Sequence, residues 1–249
     1  MTRRRHKKIV DPKEYAGLSV IDAVEKFMPD HRTVITRFGD GISEPGGRVE
    51  KKTKTTKYRR FPIAWGFPMD ELGFSYWFIH IMQETLMPWD PIICCVSTYL
   101  PQARSFIHES FVKELKSSKY LVMLDSDVIP PPGSIEKLIE KKLPLVGGWY
   151  RKKGADNSPV VYDQDITLDS GIVKWKERKE PGKGLEKVDG AGAGFWVMRR
   201  DVAEAIGERP YDELRCGEDL EMCLKVREAG YNIYIDWDLK AEHRGVMSV

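Results

Sequence analysis

The sequence predicts an α/β domain: a doubly wound, mostly parallel sheet with a mixed second half and a basic amino-terminal extension. Three observations carry this. Between residues 58 and 146, short apolar runs of strand length alternate with helical patterns, as strands joined by crossover helices do. Beyond residue 170 that alternation gives way to shorter strand-like runs broken by turn residues. Ahead of residue 58 basic residues are in excess, and residues 40–57 carry Gly, Pro and Lys with no apolar period.

The extension, residues 1–57, is set apart by charge from the domain expected over 58–249. Residues 1–60 hold 16 Lys/Arg against 8 Asp/Glu, a surplus of +8, and the remaining residues carry −6. Such an arm suits phosphates or an acidic surface. Within it Val20–Phe27 has the pattern of a short helix, and residues 40–57 read as a loop. The opening MTRRRHKK runs into polar sequence, not an apolar signal core. Apolar runs such as Phe74–Met82 are too short to span a bilayer. A cytoplasmic protein without a membrane span is expected, which argues against a membrane-embedded processive polysaccharide synthase. Cys94, Cys95, Cys216 and Cys223 form no C-x-x-C pair and read as small buried hydrophobes.

Arg60–Trp65 reads as the first strand, ending at Gly66-Phe67-Pro68. Asp70 can cap a helix running to about Leu86. Pro91–Thr98 suits a central strand. The next helix has Pro101 near its start and Ala103, Phe106, Ile107, Phe111 and Leu115 at helical spacing. Tyr120–Leu124 is a buried strand that runs into Asp125-Ser126-Asp127. Ser134 can cap the helix Ile135–Lys142, and Leu143–Val146 is a strand ending in Gly147-Gly148. Further on, Gly171–Glu177 and Leu185–Asp189 flank RKEPGKG as a hairpin would. Phe195–Met198 is a strand. Asp201 and Glu204 open a helix stopped by Gly207, Glu218–Ala229 is a helix closed by Gly230, and Tyr231–Ile235 is the last strand.

Four constellations carry chemistry. Asp125 and Asp127 sit one residue apart at a predicted strand end, where ligands bind in such sheets. Their hard oxygens suit Mg2+ or Mn2+, which would neutralise a diphosphate. Glu218 and Asp219 open a helix whose dipole favours ionised carboxylates, as a general base requires. His243 is a candidate metal ligand. Gly190, Gly192 and Gly194 allow close backbone approach to a ligand ahead of Trp196, so Gly192, Gly194 and Trp196 are candidates for the acceptor side. Each fragment also has a purely structural reading, as turn acid, helix-start acid, surface histidine or flexible strand entry.

Together these stretches resemble glycosyltransferases of the GT-A fold, of the family-2 type or a close relative. The likeness spans residues 59–245 and rests on PQARSFIHESF, YLVMLDSDVIPPPGSIEKLI, LPLVGGWYRKK, VDGAGAGFWVMRRDV and GEDLEMCLKVREAGYNIYID, followed by His243. It implies a transferase acting on a nucleotide-sugar donor, with Mn2+ or Mg2+. It assigns Asp125 and Asp127 to the metal and diphosphate, His243 to the metal, and Asp219 to the catalytic base with Glu218 beside it. It makes Arg104 a contact to the donor or to the metal-site acids. The strand and loop Ile63–Pro68 do not spell the family's usual opening, and Gly66 is the donor contact expected there. The Q-x-x-R-W signature of processive synthases is absent, which favours transfer of one or a few sugars.

Two other functions compete. A sugar-phosphate nucleotidyltransferase would show a G-x-G-T-R-like loop after its first strand, and IAWGFP is not one. A nucleic-acid-binding protein with a vestigial transferase domain is supported only by the basic arm. The same arm could instead hold a nucleic-acid acceptor.

Overall fold

The computed structural model describes residues 33–38, 48–50, 63–69, 90–96, 99–153 and 157–244. In chain order the strands are β1 (Thr33–Phe38), β2 (Arg48–Glu50), β3 (Ile63–Met69), β4 (Ile92–Val96), β5 (Tyr120–Leu124), β6 (Val128–Ile129), β7 (Leu145–Trp149), β8 (Val161–Thr167), β9 (Val173–Glu177), β10 (Leu185–Val188), β11 (Gly190–Ala191), β12 (Phe195–Arg199), β13 (Ile233–Lys240) and β14 (Glu242–His243). The helices are α1 (Leu100–Glu114), α2 (Ser134–Glu140), α3 (Arg200–Ala205) and α4 (Glu218–Glu228).

Nine strands form one sheet in the order β10-β13-β7-β12-β5-β3-β4-β1-β2. β1, β4, β3 and β5 are parallel neighbours, and so are β7 and β13. β12 lies antiparallel between β5 and β7, so both of those run the same way. Six of the nine strands therefore share a direction, and β2, β10 and β12 oppose it. This is the mostly parallel α/β sheet expected from the alternation of apolar runs.

Two apolar layers sandwich the sheet. Leu121 and Met123 of β5 face one cluster together with Ala103, Ile107 and Phe111 of α1 and Met222 and Val226 of α4. Val122 and Leu124 face the other, against Ile135, Leu138 and Ile139 of α2. A strand buried on both faces needs apolar residues at every position, which is why YLVML reads as an unbroken run. Among the described residues no helix is long and apolar enough to cross a membrane.

Several local expectations are corrected. β1 and β2 come from the stretch read as an extension, and β1 pairs in parallel with β4 at the sheet edge. The loop read over 40–57 is therefore a strand at Arg48–Glu50. The helices expected at Val20–Phe27 and Asp70–Leu86 lie outside the described residues. No hairpin joins residues 171–177 to 185–189: β9 pairs with β8, and β10 with β13. β8, which the sequence did not suggest, takes the partner that reading had assigned elsewhere. Gly133, at φ 75°, caps α2 in place of Ser134, whose hydroxyl bonds the Pro131 carbonyl instead. Gly147 and Gly148 lie inside β7, where a Cβ would meet the Phe195 and Leu239 carbonyls at 2.6 and 2.4 Å.

Gly66 is corrected in the same sense. It lies within β3, paired with Ile93 and Met123, and the strand runs on to Met69. A Cβ there would come within 2.2 Å of Ile107 Cγ2, so the glycine lets α1 pack close to the sheet. Overpacking of a core costs about 1–3 kcal/mol. Gly66→Ala is expected to lose that much in urea unfolding. A ligand-facing loop position would instead stay within about 0.5 kcal/mol of the parent.

Candidate active site

The six like-directed strands end at one edge of the sheet, and the connections there carry the ionisable groups. β5 delivers Asp125-Ser126-Asp127. α1 follows β4 and presents Arg104 in its second turn. β7 leads into Tyr150-Arg151-Lys152-Lys153, and β13 leads to His243 in β14. α4 opens with Glu218 and Asp219 behind Gly217.

Arg104 is at the centre, 1% exposed. Its Nη2 donates to both oxygens of Asp125, at 3.0 and 2.9 Å. Its Nη1 donates to Glu218 at 3.0 Å and to Asp219. A buried guanidinium is costly unless paired and hydrogen-bonded, and three carboxylates meet that need here. Burial works to discharge it, but Asp125 and Asp219 prevail and hold its pKa well above the ordinary arginine value. The same crowding acts on Asp219. Burial pushes its carboxyl up to about 6, against the pull of Arg104 and with a further push from Glu218 and Asp125.

Two residues that sequence reasoning missed hold this cluster in place. The Tyr150 hydroxyl accepts from the Gly194 backbone N–H at 3.0 Å, while the Asp125 N–H donates to the Gly194 carbonyl at 3.0 Å. Glu221, wholly buried, accepts from the Arg215 backbone N–H at 3.0 Å and from its Nη2 at 2.8 Å. That clamp fixes the segment leading into α4. Neither residue carried a signal beyond its place in a quoted stretch, because an acid in a first helical turn already has a use at the dipole.

Asp127 faces the other way, with 37% of its side chain exposed. Its carboxylate pairs with the Lys153 ammonium, and His243 Nε2 lies 3.7 Å from its other oxygen. The β6–β14 pairing sets this approach by placing His243 opposite Val128. His243 Nδ1 lies 2.7 Å from the Arg151 carbonyl. A carbonyl can only accept, so Nδ1 donates, which leaves Nε2 on the side of Asp127.

Arg104, Asp125, Glu218 and Asp219 thus form one cluster, and Asp127 and His243 an adjoining pair. The remaining candidates are enclosed by the protein itself. Trp196 is 3% exposed, and its indole N–H donates to the Gly192 carbonyl. A Cβ on Gly192 or Gly194 would meet the Tyr150 hydroxyl at 2.6 or 2.7 Å, and on Gly194 also Asp125 Oδ2 at 2.5 Å. These glycines admit Tyr150 and Asp125 where an acceptor was expected. Of the metal-site acids foreseen for Arg104 it reaches Asp125, and it meets Glu218 and Asp219 besides.

No protein-family model matches the chain, and no curated protein matches it. Solved structures do. The protein A197 from STIV is similar at 23% identity and TM-score 0.56, over 74% of this chain and 86% of that one. A structure of GalNAc-T7 with UDP, GalNAc and Mn2+ is similar at 13% identity and TM-score 0.50, over 74% of this chain and 44% of that one. The likeness shows the fold. It is the GT-A-like arrangement that the motif order implied. A CMP:2-keto-3-deoxy-manno-octonic acid synthetase complexed with CTP also matches, at 14% identity over 74% of this chain and 92% of that one. Its TM-score is 0.41.

Arg104→Met would keep the bulk and remove the charge. Taking one partner out of a buried ionic cluster costs on the order of 3 kcal/mol, and that loss is expected in urea unfolding at pH 7.5. At pH 5 the deficit should shrink. The uncompensated carboxyls would bind protons more tightly folded than unfolded, so stability is regained as pH falls through their raised pKa. A deficit of equal size at both pH values would assign Arg104 to packing alone.

Proposed function

We propose that the chain is a glycosyltransferase of the family-2 type or a close relative. It moves a sugar from a nucleotide-diphospho-sugar to an acceptor hydroxyl, with inversion, and uses Mn2+ or Mg2+. One observation carries this reading. Asp125 and the Glu218–Asp219 pair, far apart in sequence, converge on Arg104 where the parallel strands of a GT-A-like sheet end. The UDP and Mn2+ in the GalNAc-T7 structure support it from outside.

The residues suit a hard divalent ion of modest affinity. Among the described residues no three His, Cys, Asp or Glu side chains are arranged to hold a metal. Asp127 and His243, 3.7 Å apart, are the residues that would hold such an ion. Mg2+ commonly takes one or two protein ligands and completes its shell with water and substrate phosphates. Asp125, engaged by Arg104, would join through water. When bound, the ion supplies positive charge to the departing diphosphate.

The chain's own groups supply the rest. Asp219 takes the proton of the acceptor hydroxyl as that oxygen attacks the anomeric carbon. The bond from this carbon to the phosphate oxygen breaks, and the diphosphate leaves with the electron pair. A carboxyl pushed up to about 6 is a better proton acceptor than an ordinary aspartate and is still ionised near neutrality. Glu218 helps to raise it, and Arg104 keeps it in place.

Calorimetry should show binding of a nucleoside diphosphate that requires Mn2+ and is lost in Asp127→Ala. Equal binding with and without the ion would end the metal-dependent part of the reading. Asp219→Asn should leave donor affinity within about 1 kcal/mol and lower transfer about 100-fold or more. In the parent, kcat/KM should rise with pH through about 6 as the base ionises, and this limb should vanish in the variant. Near-parental transfer by folded Asp219→Asn would remove Asp219 as the base.

A further inference from the structure

Three consecutive cations follow β7: Arg151, Lys152 and Lys153. The first two have local tasks. The Arg151 guanidinium lies 5.6 Å from the Trp149 ring centroid and donates to the Asn157 carbonyl. The Lys152 ammonium pairs with Glu177 and lies 5.5 Å from the Tyr162 ring centroid. Lys153 alone of the three is turned to the site acids, and it meets the outward one, Asp127.

We propose that Lys153 is the diphosphate-binding cation of this site, trading the Asp127 carboxylate for the donor's phosphate oxygens once a divalent ion takes Asp127. The inference rests on the glycosyltransferase reading and adds a residue to it. Three physical points carry it. The Lys153–Asp127 pair is exposed on both sides, 41% and 37%, and such pairs contribute little to stability, so release costs little. An ammonium and a divalent cation repel each other across one carboxylate, while a diphosphate adds concentrated negative charge beside both. Lysine binds phosphate as a mobile point charge on a flexible stem. Arg104 cannot do this, because it is buried and engaged by three carboxylates.

The predicted signature is a pair of effects of opposite sign. Isothermal titration of the full chain would use MnCl2 alone, and then UDP, GDP, CDP and ADP in turn at saturating Mn2+, with melting temperature as a folding check. In Lys153→Met, Mn2+ alone should bind as well as in the parent or a few-fold tighter, about the worth of one exposed ion pair. The diphosphate that the parent binds should bind about tenfold more weakly, as when one charge-assisted contact is lost. Lys153→Arg should recover most of that affinity. Diphosphate affinity within about twofold of the parent in folded Lys153→Met would overturn the proposal and leave the glycosyltransferase reading standing. So would a fall in Mn2+ affinity, which would make Lys153 a support for the metal pair. A parent that binds none of the four diphosphates would sink both.

Discussion

One guanidinium among three carboxylates is the constraint on which this site depends. Arg104 comes from a helix between two sheet strands, Asp125 from a strand end, and Glu218 and Asp219 from a helix more than a hundred residues after Arg104. Without a buried positive charge these acids would repel one another, and α4 could not bring its first turn against the end of β5. With it, each is held by a hydrogen bond of fixed direction. The balance is also incomplete, since one cation faces three acids. Burial, with a further push from Glu218 and Asp125, keeps the Asp219 carboxyl raised in spite of the direct bond from Arg104. The contact with Arg104 holds Asp219 in place, and burial sets its affinity for a proton.

Strand direction supplies the edge on which this happens. β12 enters antiparallel between β5 and β7, so its amino end lies beside their carboxyl ends. This brings Gly194 next to Asp125 and Tyr150, where any side chain at 194 would collide with both. The glycine alternation ahead of β12 answers to packing inside the site. The tyrosine that fills the space then presents its ring edge-on to His243, with centroids 4.9 Å apart. The acid cluster and the Asp127–His243 pair are joined through that ring.

Much of this was legible in the chain, and the failures have physical causes. β5, α1, β12 and α4 stood out because strands buried on both faces are uniformly apolar, and because Pro101 and Gly230 mark helix ends. Asp125, Asp219 and Arg104 were legible as acids and a base in quoted stretches, but their convergence is tertiary and has no local trace. The glycines misled. Gly66, Gly147 and Gly148 read as strand ends, yet each marks a place where another element presses on a continuing strand. Pairing misled too, since β9 and β10 are close in sequence but find partners in different sheets. The edge strand β2 was hidden in a basic, glycine-rich stretch, which an edge position tolerates better than a central one, while β1 beside it was passed over although TVITRF has the β-branched run of a strand.

The two aspartates of the D-x-D sit in two different surroundings. In a continuing strand, residues two apart share a face, and both carboxylates would approach one ion together. Here the strand stops at Leu124, and a turn closes through the Val128 N–H to the Asp125 carbonyl at 3.1 Å. The turn separates the pair: Asp125 points inward to the arginine, and Asp127 points outward to lysine, histidine and solvent. An ion that sought both would have to compete with a buried guanidinium at one and only an exposed ammonium at the other. The second competition is far easier to win, because the exposed pair is already screened by water. Exchangeable charge therefore belongs to Asp127 and its neighbours, while Asp125 keeps the architecture that makes the exchange possible.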